Sequence, residues 1–400
     1  MQTGYRLSGK PPHIISLIIL SAFASMGAVL MTPALPSIAE YFHISNGAAQ
    51  LTVTSFLLGY ALGQLLYGPI ANRFGRKPAF YIGIGISTIG SLFSILSAPI
   101  ESYHLLILGR LLEAFGSSVG LVVSYTIIND FYFPEQSRKI VAFMSLAFAI
   151  VPGFAVAVGG LLTEYVNWQS CFYFLLVYGL FLLYPAATLP ETLSKVDLHA
   201  LKPQHILRNY GRVFGCRKLI IFAAMMGFST ACCYLFCAEG PFIGIHVLSI
   251  APGNYGLLAL TPFIGSIIGS LCSAKLSGRY AAMAMVRTAI VIEAMAVIVM
   301  LVCFIMGWVN LFTLLIPMGF LLVGHALLLS NVVGLAMSQT EDKSNGSAVM
   351  NFGSMAIAVV MTFVLGMSHV TSVVILPGLF LLSLVLMVVA YVMLREPSIR

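Results

Sequence analysis

Arg110 and Glu113 stand three residues apart in the apolar stretch LLILGRLLEAFG. On a helix that spacing puts both on one face. An arginine at mid-bilayer costs roughly 2.5–3.5 kcal/mol on insertion scales, so such residues face a bundle interior and find a partner. Two readings stay open. The pair either neutralises itself and only positions its helix, or it lies in a central cavity. Glu239, just before Gly240-Pro241, is a second acid in an apolar run. A carboxyl withdrawn from water could bind a proton and release it when water enters; the alternative is an exposed acid at an outer helix end. Glu293 sits nearer the cytoplasmic end of its run. His325 lies midway along another run and has a side chain that titrates in the physiological range, or it is a hydrogen-bonded packing residue. Phe56, Tyr60, Gln64, Tyr125, Tyr234 and Phe236 are candidates for an aromatic substrate pocket, in a chain whose 12% aromatic content mostly serves packing.

The elements that must position these residues follow from composition. Of 400 residues, 60% are hydrophobic and 8% charged, with a mean hydropathy of +1.00, whereas a soluble domain is about 25% charged. Crossing a hydrocarbon core about 30 Å thick takes about 20 helical residues. Apolar runs at 13–35, 47–70, 79–98, 104–128, 139–162, 169–190, 218–246, 253–275, 285–306, 309–337, 347–367 and 372–394 predict twelve transmembrane helices. They lack the alternation of barrel strands. The expected fold class is an all-α polytopic membrane protein. Arg6 and Lys10 ahead of an apolar run and Ala22-Phe23-Ala24 have the form of a signal peptide. The run continues to Met31, however, so a retained first helix is expected. Seven cysteines, six of them within runs, make neither a disulfide framework nor a spaced metal site.

Lysine and arginine set the orientation, because short cytoplasmic loops carry their excess. Twelve spans alternating from a cytoplasmic N-terminus put nineteen of the 20 basic residues on cytoplasmic segments and leave Arg110 within a span. One missed span would move every later basic loop to the wrong side, so the partition tests count and orientation together. Both termini are expected in the cytoplasm of a bacterium, with the chain in its inner membrane. The net charge of +7 reads as attraction to the inner leaflet rather than to nucleic acid. Residues 191–217 form the one long polar connection. They divide 1–190, a six-helix bundle, from 218–400, another six-helix bundle, the plan of secondary transporters whose site lies between halves near mid-membrane.

The loop GPIANRFGRKP, residues 68–78, falls between the second and third spans. Gly68 and Gly75 allow a tight reversal, and Arg73, Arg76 and Lys77 can reach lipid phosphates and the negative ends of nearby helices. The loop resembles the signature of the major facilitator superfamily at Gly68, Arg73, Gly75, Arg76 and Lys77, with Asn72 where the family has an acid. In that family the acid helps lock the halves together on the cytoplasmic side; Asp130 is the expected partner for the arginines. Thr32-Pro33-Ala34-Leu35-Pro36, Arg110, Pro152 with Gly159-Gly160, Trp168, Leu189-Pro190-Glu191-Thr192-Leu193 and Gly240-Pro241-Phe242 are similar, in order, to the drug:proton antiporter branch, bicyclomycin/chloramphenicol-resistance type. Ala155-Val156 stands where the antiporter motif has Gly-Pro.

The resemblance implies twelve helices in the major facilitator fold and proton-coupled efflux of small amphipathic drug-like compounds by alternating access. Arg110 matches the family's helix-4 arginine. Position 113 more often holds Gln there, which makes Glu113 a candidate proton carrier. The expected partners are the lipid bilayer and a small-molecule substrate. A monomer without cofactor is expected, driven by the proton gradient. A specific metabolite or siderophore transporter on the same scaffold is the alternative. Gly116-Ser117-Ser118-Val119-Gly120 matches G-x-S-x-G but lacks the strand that a nucleophile elbow needs, and close helix packing explains it equally well. No phosphate-binding G-x-x-x-x-G-K-[ST] loop is present, which argues against direct ATP drive.

Overall fold

A computed structural model describes residues 11–193, 195–368 and 372–394. The terminal residues Arg6, Lys10, Arg395 and Arg400 lie outside the described residues. In chain order the helices are α1 (Ile14–Ser21), α2 (Phe23–Val29), α3 (Leu35–Tyr41), α4 (Asn46–Phe74), α5 (Arg76–Leu96), α6 (Tyr103–Ser117), α7 (Val119–Phe131), α8 (Pro134–Tyr165) and α9 (Ser170–Thr188). They continue with α10 (Pro203–Phe214), α11 (Arg217–Pro241), α12 (Pro252–Leu258), α13 (Thr261–Leu276), α14 (Ala282–Ile305), α15 (Leu311–Met337), α16 (Lys343–Met367) and α17 (Ile375–Met393).

Several short helices join end to end, giving eleven membrane-length apolar elements among the described residues. The remaining crossing is α8, whose apolar part runs Ala149–Tyr165. The joints have local causes. Pro33 and Pro36 lack the N–H that would continue a helix, and a 3-10 turn, Thr32–Ala34, separates α2 from α3. Between α6 and α7 the Ser118 hydroxyl donates to the Phe115 carbonyl at 2.7 Å, the kind of back-bonding that competes with the helical ladder. Pro241 ends α11, and the chain continues as π turns over Phe242–Val247.

The polar connection between the halves is not plain loop. It contains α10, which packs under α4 and α16. The Tyr210 hydroxyl donates to the Leu65 carbonyl at 2.6 Å, and Phe214 meets Phe352 edge-on. Burial, with the Asp342 carboxylate nearby, pushes the Tyr210 phenol up to about 12. It therefore remains a donor at working pH.

The two bundles meet along α4 against α16 and along α8 against α12 and α13. Glycines let these backbones approach. A Cβ on Gly160 of α8 would lie 2.5 Å from the Pro252 carbonyl oxygen, and one on Gly47 of α4 would lie 2.3 Å from that of Gly366. Within the first bundle, Gly59 of α4 faces the Leu111 carbonyl at 2.1 Å by the same measure, and Gly116 faces Ser87 of α5. The G-x-S-x-G look-alike is thus a packing surface.

Candidate functional site

In the first bundle, Arg110 and Glu113 are buried together on α6, with Arg110 Nη1 2.9 Å from Glu113 Oε2. A second guanidinium nitrogen, Nη2, donates to the Gly27 carbonyl at 2.8 Å. The Phe56 ring lies under the guanidinium, 4.3 Å from centroid to Cζ, and Phe172 lies 5.9 Å away. Gly27 leaves room for this: a Cβ there would stand 3.0 Å from Glu113 Oε1 and 3.1 Å from Phe56. Arg110 thus finds a counter-ion on its own helix and a carbonyl and two ring faces from three others. Its Nε has no hydrogen-bond partner among the described residues.

Phe56, a pocket candidate from its sequence position, serves this pair. Tyr60 lies beside Gln64, Tyr125 and, across the bundle boundary, Tyr234. The Gln64 side-chain oxygen is buried there with no partner among the described residues. Phe236 is not brought into that group; it is buried against Gly240 one turn along its own helix.

Glu239 is half-buried and takes part in a contact between bundles. The Gln50 amide of α4 donates to its carboxylate. Two more polar contacts bridge the bundles at the same end: His246 Nε2 lies 3.4 Å from Glu40 Oε1, and the Gly253 N–H donates to Glu164 Oε2 at 2.6 Å. Farther in, the Thr54 and Thr362 hydroxyls lie 3.1 Å apart. These bonds sit at the end opposite the basic loops. His325 is elsewhere, inside the second bundle, where its Nδ1 lies 2.9 Å from the Ser229 hydroxyl. The four proton-coupling candidates therefore occupy three separate places.

The opposite end holds the GPIANRFGRKP loop. Helix α4 runs through Gly68 and Pro69 to Phe74, so the reversal falls on Gly75 alone, at φ 110°. A side chain is excluded there twice, by the backbone angle and by Glu191, whose Oε2 would lie 2.7 Å from a Cβ. Glu191 accepts from the Arg76 and Lys77 backbone N–H groups, both at 3.0 Å. These are free donors at the start of α5, where a carboxylate is favoured. Arg76 Nε donates to Asp130 at 3.0 Å, and its Nη1 to Asn72 Oδ1 at 2.8 Å and the Ala71 carbonyl at 2.8 Å. Thr192 adds a bond to Asp130 at 2.9 Å. Lys77 Nζ reaches the Ala187 carbonyl, 2.6 Å, at the negative end of α9. Arg73 stays outside this knot, over the Phe74 ring. Asn72 therefore supplies a neutral acceptor, and the acids come from Asp130 and Glu191. Replacing Asn72 by Asp keeps an acceptor for Arg76 and is expected to retain transport. Asn72→Leu should slow it several-fold, and flux measured in proteoliposomes compares the two.

In α8, Pro152 lies inside the helix and Gly159-Gly160 form its contact face. A Cβ on Gly159 would fall 1.6 Å from the Leu30 carbonyl oxygen. Ala155 and Val156 are buried, and the Val156 carbonyl approaches Gly256 of α12. The departure from Gly-Pro at 155–156 thus keeps a close helix contact.

Sequence reasoning missed Gln50, Ser229, Glu164 and the capping role of Glu191. Gln50 and Ser229 carried no signal: nothing sets either apart from the other polar residues of its helix, and their partners lie 64 to 189 positions away. Glu191 carried one, since an acid next to an arginine-rich reversal can reach a helix start.

A family profile described as Major Facilitator Superfamily matches residues 17–348. An uncharacterised transporter of Rickettsia bellii is 31% identical over 255 residues, covering 63% of this chain and 62% of that protein. The chain thus matches less than two thirds of that relative's length. A bicyclomycin resistance protein homologue of Haemophilus influenzae is 26% identical over 312 residues, 77% of this chain and 74% of its own. In fold, the chain resembles the xylose transporter of E. coli in a partially occluded inward-open conformation. The TM-score is 0.75 at 13% identity, over 96% of this chain and 98% of that one.

Proposed function

This chain belongs to the major facilitator superfamily, and from that premise we propose that it exports small amphipathic compounds in exchange for protons, by alternating access across a bacterial inner membrane. The basic end faces the cytoplasm and the opposite end the exterior. The observation that carries the reading is the Gln50 bond to Glu239. It puts a carboxyl at a contact that must break whenever the bundles separate on the outside. Water reaching that carboxyl changes its proton occupancy, and proton binding then favours one of the two conformations. Arg110 with Glu113 supplies a second acid, inside the first bundle.

Of the specific metabolites and siderophores that form the alternative cargo, the anionic ones fit less well. Such a cargo needs a cation free to meet it, and Arg110, the basic residue within a predicted span, is already paired with Glu113 and the Gly27 carbonyl. The drug-resistance name of the Haemophilus relative supports the efflux reading.

Chloramphenicol accumulation in energised cells, with and without an uncoupler, tests export. Cells carrying the transporter should accumulate less drug, and the uncoupler should abolish the difference. An unchanged difference would point to facilitated diffusion or another ion. Coupling is expected to reside in Glu113 and Glu239. Drug-induced proton release from purified protein should fall sharply in Glu113→Gln or Glu239→Gln, and intact release in both variants would sink that assignment. A substrate panel including iron chelates separates the two cargo readings.

A further inference from the structure

Inside the second bundle, three polar side chains from three helices form a chain. Ser229 Oγ of α11 donates to Glu293 Oε1 of α14 at 2.7 Å and lies 2.9 Å from His325 Nδ1 of α15. Ser229 is fully buried and Glu293 is 2% exposed, while His325 keeps partial exposure. Helix α15 presses on the acid: a Cβ on Gly324 would stand 2.6 Å from Glu293 Cγ. Among the described residues no cation makes an ion pair with Glu293, in contrast to Glu113. The titratable groups facing it are His325 and the thiols of Cys232 and Cys233 on α11; the Ser383 hydroxyl of α17 lies next to Cys232.

We propose that Glu293, Ser229 and His325 form a proton-binding site inside the second bundle, exchanging one proton with water through the imidazole. A buried ionised carboxylate without a cation is costly, and a bound proton removes that charge. The order of the groups matters. In a hydrolytic triad the imidazole lies between acid and hydroxyl and activates the hydroxyl. Here the hydroxyl lies between acid and imidazole, which suits relay rather than nucleophilic attack.

With the proton bound, the Glu293 carboxyl O–H donates to Ser229 Oγ, and the Ser229 O–H donates to Nδ1 of a neutral imidazole protonated at Nε2. On release, the carboxyl O–H bond breaks and its proton binds Ser229 Oγ. The original Ser229 proton moves to Nδ1, and Nε2 gives its proton to water. The products are a carboxylate, an intact hydroxyl that now donates to it, and a neutral imidazole protonated at Nδ1. One proton has left, and both hydrogen bonds persist with reversed direction. Binding runs the same steps backwards. His325, the one member of the three that is not buried, is the member assigned to exchange with water.

This site deepens the proton-coupled reading above and rests on it for its role in transport, but its proton occupancy can be measured without transport. Infrared difference spectra of the full chain in lipid, between acid and alkaline pH, read the carbonyl stretch of any carboxylic acid that gains and loses a proton. One such band should vanish in Glu293→Gln, shift in Ser229→Ala and return in Ser229→Thr. In proteoliposomes, chloramphenicol-driven proton exchange should slow at least tenfold in Ser229→Ala with drug affinity unchanged, an effect that a merely structural hydrogen bond would not produce. A full set of bands in Glu293→Gln overturns the site. An unshifted band with normal exchange in Ser229→Ala overturns the relay, and carries the test alone should Glu293→Gln fail to fold. If the band titrates and depends on Ser229 while an uncoupler leaves export untouched, the proton site stands and the coupling reading falls.

Discussion

Arg110→Met should destabilise the purified protein by about 3–5 kcal/mol, because it leaves Glu113 as an uncompensated charge in a dry interior. The guanidinium holds two bonds and an aromatic face at once, and Met can replace only the packing against Phe56. The informative comparison is the double variant Arg110→Met with Glu113→Leu. Replacing both members of a buried pair by apolar residues of similar volume is often neutral or stabilising, so thermal unfolding in detergent should return to near the parent value. Transport should not return, since the acid is gone. Recovery of drug export together with stability would reduce the pair to a brace that positions α6, the first of the two readings its spacing allows.

Gly160→Leu should hold open the end opposite the basic loops. The Cβ alone would fall 2.5 Å from the Pro252 carbonyl oxygen and 2.9 Å from the Gly256 Cα, and neither is a side chain that can rotate away. Overpacking a tight contact costs about 1–3 kcal/mol, which corresponds to roughly 5- to 150-fold in an equilibrium between two states. The closed form carries this contact, together with the Gln50–Glu239, Glu40–His246 and Glu164–Gly253 bonds. The population should therefore shift toward the form in which they are apart. Spin labels at Asn46 and Val247, one on each bundle in a background freed of native cysteines, should report a longer distance, with export lost and helix content kept. A parent-like distance would mean that α8 and α12 separate little during the cycle.

Most of the fold is legible in the sequence. The twelve apolar runs match the crossings to within a few residues at most ends, because length and apolarity are what lipid demands of a span. The departures are local. The first crossing breaks at Pro33 and Pro36, α11 ends in π turns, and the supposed loop between the bundles carries α10. That helix reads as polar because Arg208 and Arg212 share its outer side, while Ile206, Tyr210 and Val213 recur on the face turned to the protein. In the reversal after α4, Gly75 bears the strained angle and Gly68 does not, since nothing in a glycine's neighbours reveals which of two will leave the helix. Spacing alone put Arg110 and Glu113 on one face of a helix; that they bond to each other, one of the two readings left open there, took the structure.

Sequence alone determined that this chain lives in lipid, how many times it crosses, which loops carry the positive charge, and which few ionisable residues fall within apolar runs. Those are sums over short stretches, and each span contributes independently. Only the tertiary structure decided which partners these residues meet: Glu239 with Gln50 across the bundles, Glu191 on the start of α5, and Glu293 with Ser229 and His325 across three helices. The reason lies in the solvent. In water a helix's apolar stripe reveals how it is turned; in a bilayer the lipid-facing and protein-facing sides are equally apolar. The rotation of each helix, and so every contact between them, is fixed by close packing of small residues and a handful of polar bonds rather than by hydropathy.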